Sequence, residues 1–297
     1  MLSLMRWLSR RHLSTLQFFG ALLGWLAYAL SASYRQRLAA HVAQAGLGAA
    51  VRRQAVAAAG RMVAELPWLW LRPQHRPLAG LVRWQGEALI EQAAARGQGL
   101  VLLTPHLGSW EVCAQAIAER WGGSGLRLTA MYRPARQPWL RELEETARAR
   151  PGLATAPAAL AGVRQMIRAL RRGEAVGLLP DQVPPEGMGV WAPFFGRPAY
   201  TMTLAARLVQ QTGAALLLIW AERLPRGAGW VLRVSSPGLP LPATAADEAA
   251  LQQAGALMVN QEMERLIAQC PGQYLWGYHR YKQPRRVQPA TGDEVAP

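Results

Sequence analysis

The chain has 297 residues, 51% of them hydrophobic, and a formal charge of +15 with a pI near 11.2. That apolar fraction excludes general disorder and can fill a sizeable core, so one main domain with a membrane attachment is the simplest organisation. The charge is almost wholly arginine, Lys282 being the single lysine; such a field attracts nucleic acid, anionic lipid head groups or an acidic protein, without choosing among them.

In chain order, Arg6, Arg10 and Arg11 precede an uncharged apolar run over residues 13–33. Its length suits a membrane-spanning helix, so residues 1–33 are expected to be an N-terminal anchor. A signal peptide, a soluble core helix and a helix lying in the interface are the alternatives. Residues 34–71 are Ala-rich and helical in pattern, closing on Trp68 and Trp70, residues of the kind found at head-group level. A short strand is expected at 82–85 and a helix at 87–96, stopped by Gly97. The apolar run 100–104 reads as a buried strand, and 112–121 as a helix.

Between them lies His106-Leu107-Gly108-Ser109-Trp110-Glu111. The histidine falls where a buried strand ends, and the glutamate in the first turn of the next helix, where the dipole favours a carboxylate. Such a pair can take a proton from an alcohol: the imidazole accepts it while the carboxylate fixes the tautomer and stabilises the imidazolium. Chance supplies about 0.3 His-x4-acid pairs in a chain of this composition, so the weight rests on position, at the carboxyl end of a strand where α/β sheets bind ligands.

Further along, 126–132 alternates as a strand and leads into Arg133-Pro134; 138–150 reads as helix and carries Arg141, Arg148 and Arg150. Residues 158–172 form an amphipathic helix with Val163, Met166, Ile167 and Leu170 on one face, and Arg164, Arg168, Arg171 and Arg172 largely off it. Those arginines are either a solvated face or a guide for an acidic ligand. The strand 175–179 delivers Pro180-Asp181-Gln182, so Asp181 has the same kind of address as His106. The Pro/Gly-rich, aromatic stretch 183–200 reads as a lid or substrate-binding loop. Thr201 is placed to cap a helix through Gln211. Strands at 214–221 and 230–234, a long helix at 246–269, an aromatic segment at 274–281 and a flexible tail at 283–297 complete the chain.

The alternation of strands and helices gives an α/β fold, a mixed sheet surrounded by helices. Competing chemistries have little support. There is no H-E-x-x-H or Cys/His cluster for a metal and no G-x-G-x-x-G or P-loop for a nucleotide, and Ser109 lacks the G-x-S-x-G elbow. Cys113 and Cys270 show neither ligand spacing nor a C-x-x-C pair, which reads as reduced thiols and argues against a disulfide-built secreted protein. No recognisable nucleic-acid module accompanies the arginines.

The order of apolar N-terminal helix, His106-x4-Glu111, Tyr132-Arg133-Pro134, Arg148, Arg172-Gly173-Glu174, Pro180-Asp181-Gln182, Gln273-Tyr274-Leu275-Trp276 and His279-Arg280-Tyr281-Lys282 resembles the late acyltransferases of lipid A biosynthesis, the Gram-negative lauroyl and myristoyl transferases. The resemblance implies an acyltransferase domain over residues 34–282. It implies that His106 and Glu111 are catalytic and that Arg148 and Asp181 are important for activity, and both are expected in the catalytic set; Arg133, Gln182, Arg164 and Arg168 are expected toward substrate. It further implies an acyl carrier protein thioester as donor with no other cofactor and no metal, and a Kdo-bearing lipid A precursor as acceptor. The implied location is the bacterial inner membrane, the domain facing the cytoplasm, with membrane lipids as partners and no nucleic acid. A related enzyme acting on a lysophospholipid or another glycolipid, and a non-enzymatic basic membrane binder, are the rival readings.

Overall fold

The computed structural model describes residues 2–73, 75–132, 137, 140–141, 143–144 and 150–285. Arg133, Arg148, most of the helix expected over 138–150 and the tail beyond Arg285 lie outside them. Leu140, Arg141, Leu143 and Glu144 of that expected helix are helical.

Four helices come first: α1 (Leu2–Ser9), α2 (Leu13–Leu30), α3 (Ala32–Gln44) and α4 (Ala49–Leu71). The helical stretch expected over 34–71 is broken at Gly46, whose φ of 71° takes it into the left-handed region that ends helices. Ser31 separates α2 from α3, its hydroxyl accepting from the Tyr34 N–H at 3.3 Å. The tryptophans that close α4 turn inward: Trp70 is buried, and Trp68 packs with its ring 6.0 Å from that of Trp230. Their expected place at the lipid head groups is therefore corrected, because the last turn of α4 rests on the sheet.

The sheet follows, with β1 (Val82–Gln85), α5 (Ala88–Ala95), β2 (Leu100–Leu103), α6 (Trp110–Trp121), β3 (Leu128–Tyr132), β4 (Leu153–Pro157), α7 (Leu160–Arg171) and β5 (Ala175–Leu178). Next come β6 (Gly189–Phe194), β7 (Arg197–Met202), α8 (Leu204–Thr212), β8 (Ala215–Arg223), β9 (Trp230–Ser235) and α9 (Glu248–Gln269). Seven strands pair in the order β1-β9-β8-β2-β5-β3-β4. Strands β8, β2, β5, β3 and β4 run parallel, and the β8–β9 pairing is antiparallel, so β9 and its parallel neighbour β1 run the other way. This is the expected mixed sheet.

Strand β2 is buried along its whole length, which is why it reads as an unbroken apolar run and not as an alternating one. Its residues still alternate between faces. Val101 and Leu103 join Val176 and Leu178 in a core with Val259, Met263 and Leu266 of α9, while Leu100 and Leu102 join one with Val112 and Ile117 of α6.

Two expectations are corrected. The stretch 183–200 is not simply a loop, because β6 and β7 form a hairpin whose turn residues, Phe195 and Gly196, have φ of 46° and 73°, the positive values that a two-residue hairpin turn needs. Thr201 is therefore not a helix cap. It lies fully buried in β7, where its hydroxyl bonds Ala199 O at 3.0 Å and receives an amide hydrogen bond from Asn260 of α9 at 2.9 Å.

Candidate active site

Strands β2 and β5 are parallel neighbours in a register that sets Leu103 beside Leu178. Three residues beyond each strand end stand His106 and Asp181, so adjacency and register bring together two residues 75 positions apart in the chain. Asp181 grips the histidine twice: Oδ1 lies 2.7 Å from the ring Nδ1, and Oδ2 accepts the His106 backbone N–H at 2.9 Å. The Gln182 side-chain amide meets the other ring nitrogen, Nε2, at 2.9 Å.

The buried Asp181 carboxyl is pushed up by desolvation, but its pKa is lowered overall by the charge and hydrogen bonds of His106 and by Arg280. An ionised carboxylate only accepts, so Nδ1 donates to it, and the Gln182 amide nitrogen only donates, so Nε2 meets it with a lone pair, the form in which an imidazole acts as a base. The Gln182 N–H points along that lone pair and marks the direction from which an acceptor hydroxyl would approach.

The turn is held from two sides. Ser109 N–H donates to Ala221 O at 2.9 Å, Gly108 N–H to Gln273 O at 3.1 Å, and Leu275 N–H to His106 O at 3.0 Å. Gly108 has φ of 63°, and a Cβ there would run into Ala221 O, so both conformation and space require glycine. The Trp110 ring stands edge-on to the imidazole, centroids 4.7 Å apart.

His106, Trp110, Glu111 and Gln182 line a cavity of about 280 Å³ whose other walls are mainly apolar, among them Leu102, Ile117, Leu128, Val163 and Ile219. Glu111 opens the first turn of α6 and accepts from Trp70 Nε1 at 3.4 Å. Its position in the first turn after the strand and the family resemblance gave it the task of orienting His106, but the Nδ1 partner at 2.7 Å is Asp181. Cys113 also lines the cavity, and burial raises its pKa so far that it remains a thiol. Arg164 and Arg168 are exposed on α7 and do not line the cavity. Arg133 and Arg148 lie outside the described residues. No group of three or more His, Cys, Asp or Glu among the described residues could hold a metal ion.

Sequence reasoning missed the second tier. Arg280, buried at 2% exposure, donates to Tyr200 O, Thr201 Oγ1 and Asn260 Oδ1 at 2.6, 2.7 and 3.2 Å, and its charge helps to hold Asp181 ionised. Behind the turn, Glu65 of α4 accepts from Arg223 Nε at 2.7 Å, from Ser109 Oγ at 2.6 Å and from Gln17 Nε2 at 3.0 Å. Glu65 did leave a signal: it is the only acidic residue among the first 86.

A strand-end imidazole oriented by a buried carboxylate and facing an apolar cavity defines a site suited to general-base chemistry on a lipophilic substrate. The family model for bacterial lipid A biosynthesis acyltransferases matches residues 47–283, and the chain belongs to that family. It is an acyltransferase. Among its relatives is a lipid A biosynthesis lauroyltransferase of Escherichia coli (strain K12), 27% identical over 227 residues, covering 75% of this chain and 68% of the relative. A lipid A biosynthesis palmitoleoyltransferase of the same organism is 26% identical with the same coverage. A lipid A biosynthesis acyltransferase of Haemophilus influenzae (strain ATCC 51907 / DSM 11121 / KW20 / Rd) is 26% identical over 63% of this chain and 55% of its own length.

Proposed function

We propose that this acyltransferase moves a fatty acyl group from an acyl carrier protein thioester to a hydroxyl on a hydroxyacyl chain of a Kdo-bearing lipid A precursor, at the cytoplasmic face of the bacterial inner membrane. The observation that carries the reading is the His106 Nε2, left basic by the Asp181 contact on Nδ1 and opening on an apolar cavity. An alcohol is too weak an acid to attack unaided, so a positioned base is needed. The acceptor oxygen displaces the Gln182 amide from Nε2, gives up its proton to that nitrogen and bonds to the thioester carbonyl carbon. The tetrahedral intermediate then collapses: the carbon–sulfur bond breaks, and the carrier thiolate departs and takes up a proton, restoring neutral His106.

Asp181 stabilises the transient imidazolium, and Glu111 adds negative charge from the cavity wall. Arg148 is assigned to the oxyanion or the acceptor next to it. Arg133, Gln182, Arg164 and Arg168 are assigned to substrate, with the exposed arginines of α7 meeting an acidic carrier protein. The apolar walls take the alkyl chain, each buried methylene contributing about 0.8 kcal/mol. Mass spectrometry of lipid A from cells lacking and regaining the protein tests the proposal. Gain of one acyl mass on lipid A is expected, and a gain confined to phospholipid or another glycolipid would overturn the acceptor.

A further inference from the structure

Helix α2 buries Leu13, Leu16, Gln17, Gly20 and Gly24 at three- and four-residue spacing, and leaves Phe18, Phe19, Leu22, Leu23, Leu26 and Leu30 between 51% and 78% exposed. Its 18 residues would cover about 27 Å, close to the thickness of a bilayer core. A helix crossing alone would show lipid on every side, whereas this one gives a full face to α4. The contact runs through glycine: a Cβ on Gly60 would strike Gly20 O and the Gly24 backbone, and one on Gly24 would strike Val56 O. Gln17 bonds Glu65, Gly20 meets Gly60 and Ala64, and Gly24 meets Val56, so the two helices run antiparallel along their length.

Helix α4 cannot follow α2 into hydrocarbon. It carries Arg52, Arg53, Arg61 and Glu65, and Ala55 and Val56 on it belong to the core beneath the sheet. The start of α2 is fixed as well, with Gly227 N–H donating to Gln17 Oε1 at 2.8 Å and Gly227 packed against Ser14. Crossing would either drag charges into the bilayer or strip α2 from the domain.

We infer that α2 does not cross the membrane but lies in the plane of one leaflet, its exposed stripe sunk among the acyl chains and its other face on the enzyme. The surface it fits is anionic. The first 64 residues hold eight arginines and no acidic residue, and the first carboxylate, Glu65, is spent internally on Arg223. On α1 and the turn after it, Arg6, Arg10 and Arg11 are exposed beside Leu4 and Trp7, with the Arg11 guanidinium 4.5 Å from the Trp7 ring centroid. Such interleaving lets apolar groups insert while guanidinium groups meet head-group phosphates. The helix is also tied to the site, since Gln17, Glu65 and Ser109 form a hydrogen-bonded chain from the inner face of α2 to the His106 turn. The active site is thereby held at the membrane surface.

The test reads topology and not acyl transfer, so its failure would leave the chemistry untouched. Single reporters His12→Cys before α2, Ala32→Cys after it and Ala245→Cys on the domain surface are placed in the full chain. Each is probed with a membrane-impermeant maleimide in sealed vesicles of both orientations, against the parent with its own Cys113 and Cys270. All three should label in the same orientation and resist labelling in the other. Labelling of His12→Cys and Ala32→Cys from opposite faces would overturn the in-plane helix, and release of the protein by carbonate would overturn membrane insertion altogether. In flotation with purified protein, vesicles containing phosphatidylglycerol should bind at least about tenfold more tightly than phosphatidylcholine vesicles. Phe18→Asp/Leu22→Asp should abolish binding to both, and equal binding to the two vesicle types would overturn the anionic surface.

Discussion

Two carboxylate-centred clusters are attached to the same turn, and they differ in access. His106, its side chain 12% exposed, lines the cavity with the 2% exposed Asp181 behind it, whereas Arg223 and Glu65, at 4% and 1%, are enclosed on the other side of Ser109. In the first, Nε2 meets, among the described residues, the amide of Gln182, which the proposed mechanism has the acceptor displace. In the second, both Glu65 oxygens are engaged by protein donors. On the proposed mechanism, similar groups divide into a reacting pair and a brace. Breaking the first should cost far more activity than stability; breaking the second should do the reverse.

The largest effect is expected at the reacting pair. His106→Ala should lower the rate of acyl transfer by about 10² to 10⁴ while the protein keeps its melting temperature within a few degrees. Asp181→Asn should fall in the same range, because an amide permits the wrong tautomer, and the double variant should lose little more than either single one. Glu111→Gln should cost less than Asp181→Asn, since Asp181 holds Nδ1. A larger loss at Glu111 in steady-state assays would return the orienting role to it.

At the brace the expected order is inverted. Glu65→Gln leaves the Arg223 charge buried with a lost counter-charge, and chemical denaturation should show a loss of about 3–5 kcal/mol. Activity per folded molecule should change only several-fold, as neither residue lines the cavity. Replacing both partners, Glu65→Leu with Arg223→Met, should recover most of the stability, since apolar pairs of similar volume substitute well for buried ion pairs. Failure of the double variant to recover would show that Glu65 is kept for the Ser109 and Gln17 contacts.

A smaller, pH-dependent effect distinguishes Asp181 from an ordinary buried polar group. Its folded pKa is lowered: burial pushes the carboxyl up, but His106 and Arg280 pull it below the ordinary 3.8. The stability it contributes is therefore present above 3.8 and lost as the pH falls through its depressed native value. Asp181→Asn should be less stable than the parent near neutrality, by about 1.5–3 kcal/mol for a hydrogen bond to a charged group. The gap should narrow in acid melts only below the ordinary aspartate range; narrowing already between pH 5 and 7 would point to a different group.

The sequence was legible where local rules decide. Strand β2 stood out because a strand buried on both faces must be apolar throughout, and α7 because its apolar positions recur at helical spacing. Strand β4 was missed: it is short, lies at the sheet edge, is mostly half-buried and ends in Pro157, so little in its composition marks it. The β6–β7 hairpin was hidden by prolines, yet Pro193 and Pro198 face each other in a two-stranded ribbon, where unpaired edges tolerate them. His106 and Asp181 were each recognisable as strand-end residues. Their contact was not, because it depends on β5 pairing with β2 in a particular register, a long-range fact that no window of sequence contains.

The smallest expected effect tests whether the contrast between reacting and structural charge extends to the surface. Arg164 and Arg168 are exposed on α7, whose buried residues Met166, Ala169 and Leu170 pack into the core, so reversing both charges should leave melting unchanged. If they meet an acidic carrier protein, Arg164→Glu/Arg168→Glu should raise KM for the acylated carrier, with kcat nearly constant. Exposed pairs contribute about 0.2–1 kcal/mol each, which for two corresponds to roughly two- to thirtyfold in KM. The increase should shrink with added salt, because screening weakens an encounter between exposed charges. A salt-independent loss confined to kcat would place these arginines with the reaction and not with the donor. Unchanged kinetics at low salt would leave them as an ordinary solvated helix face.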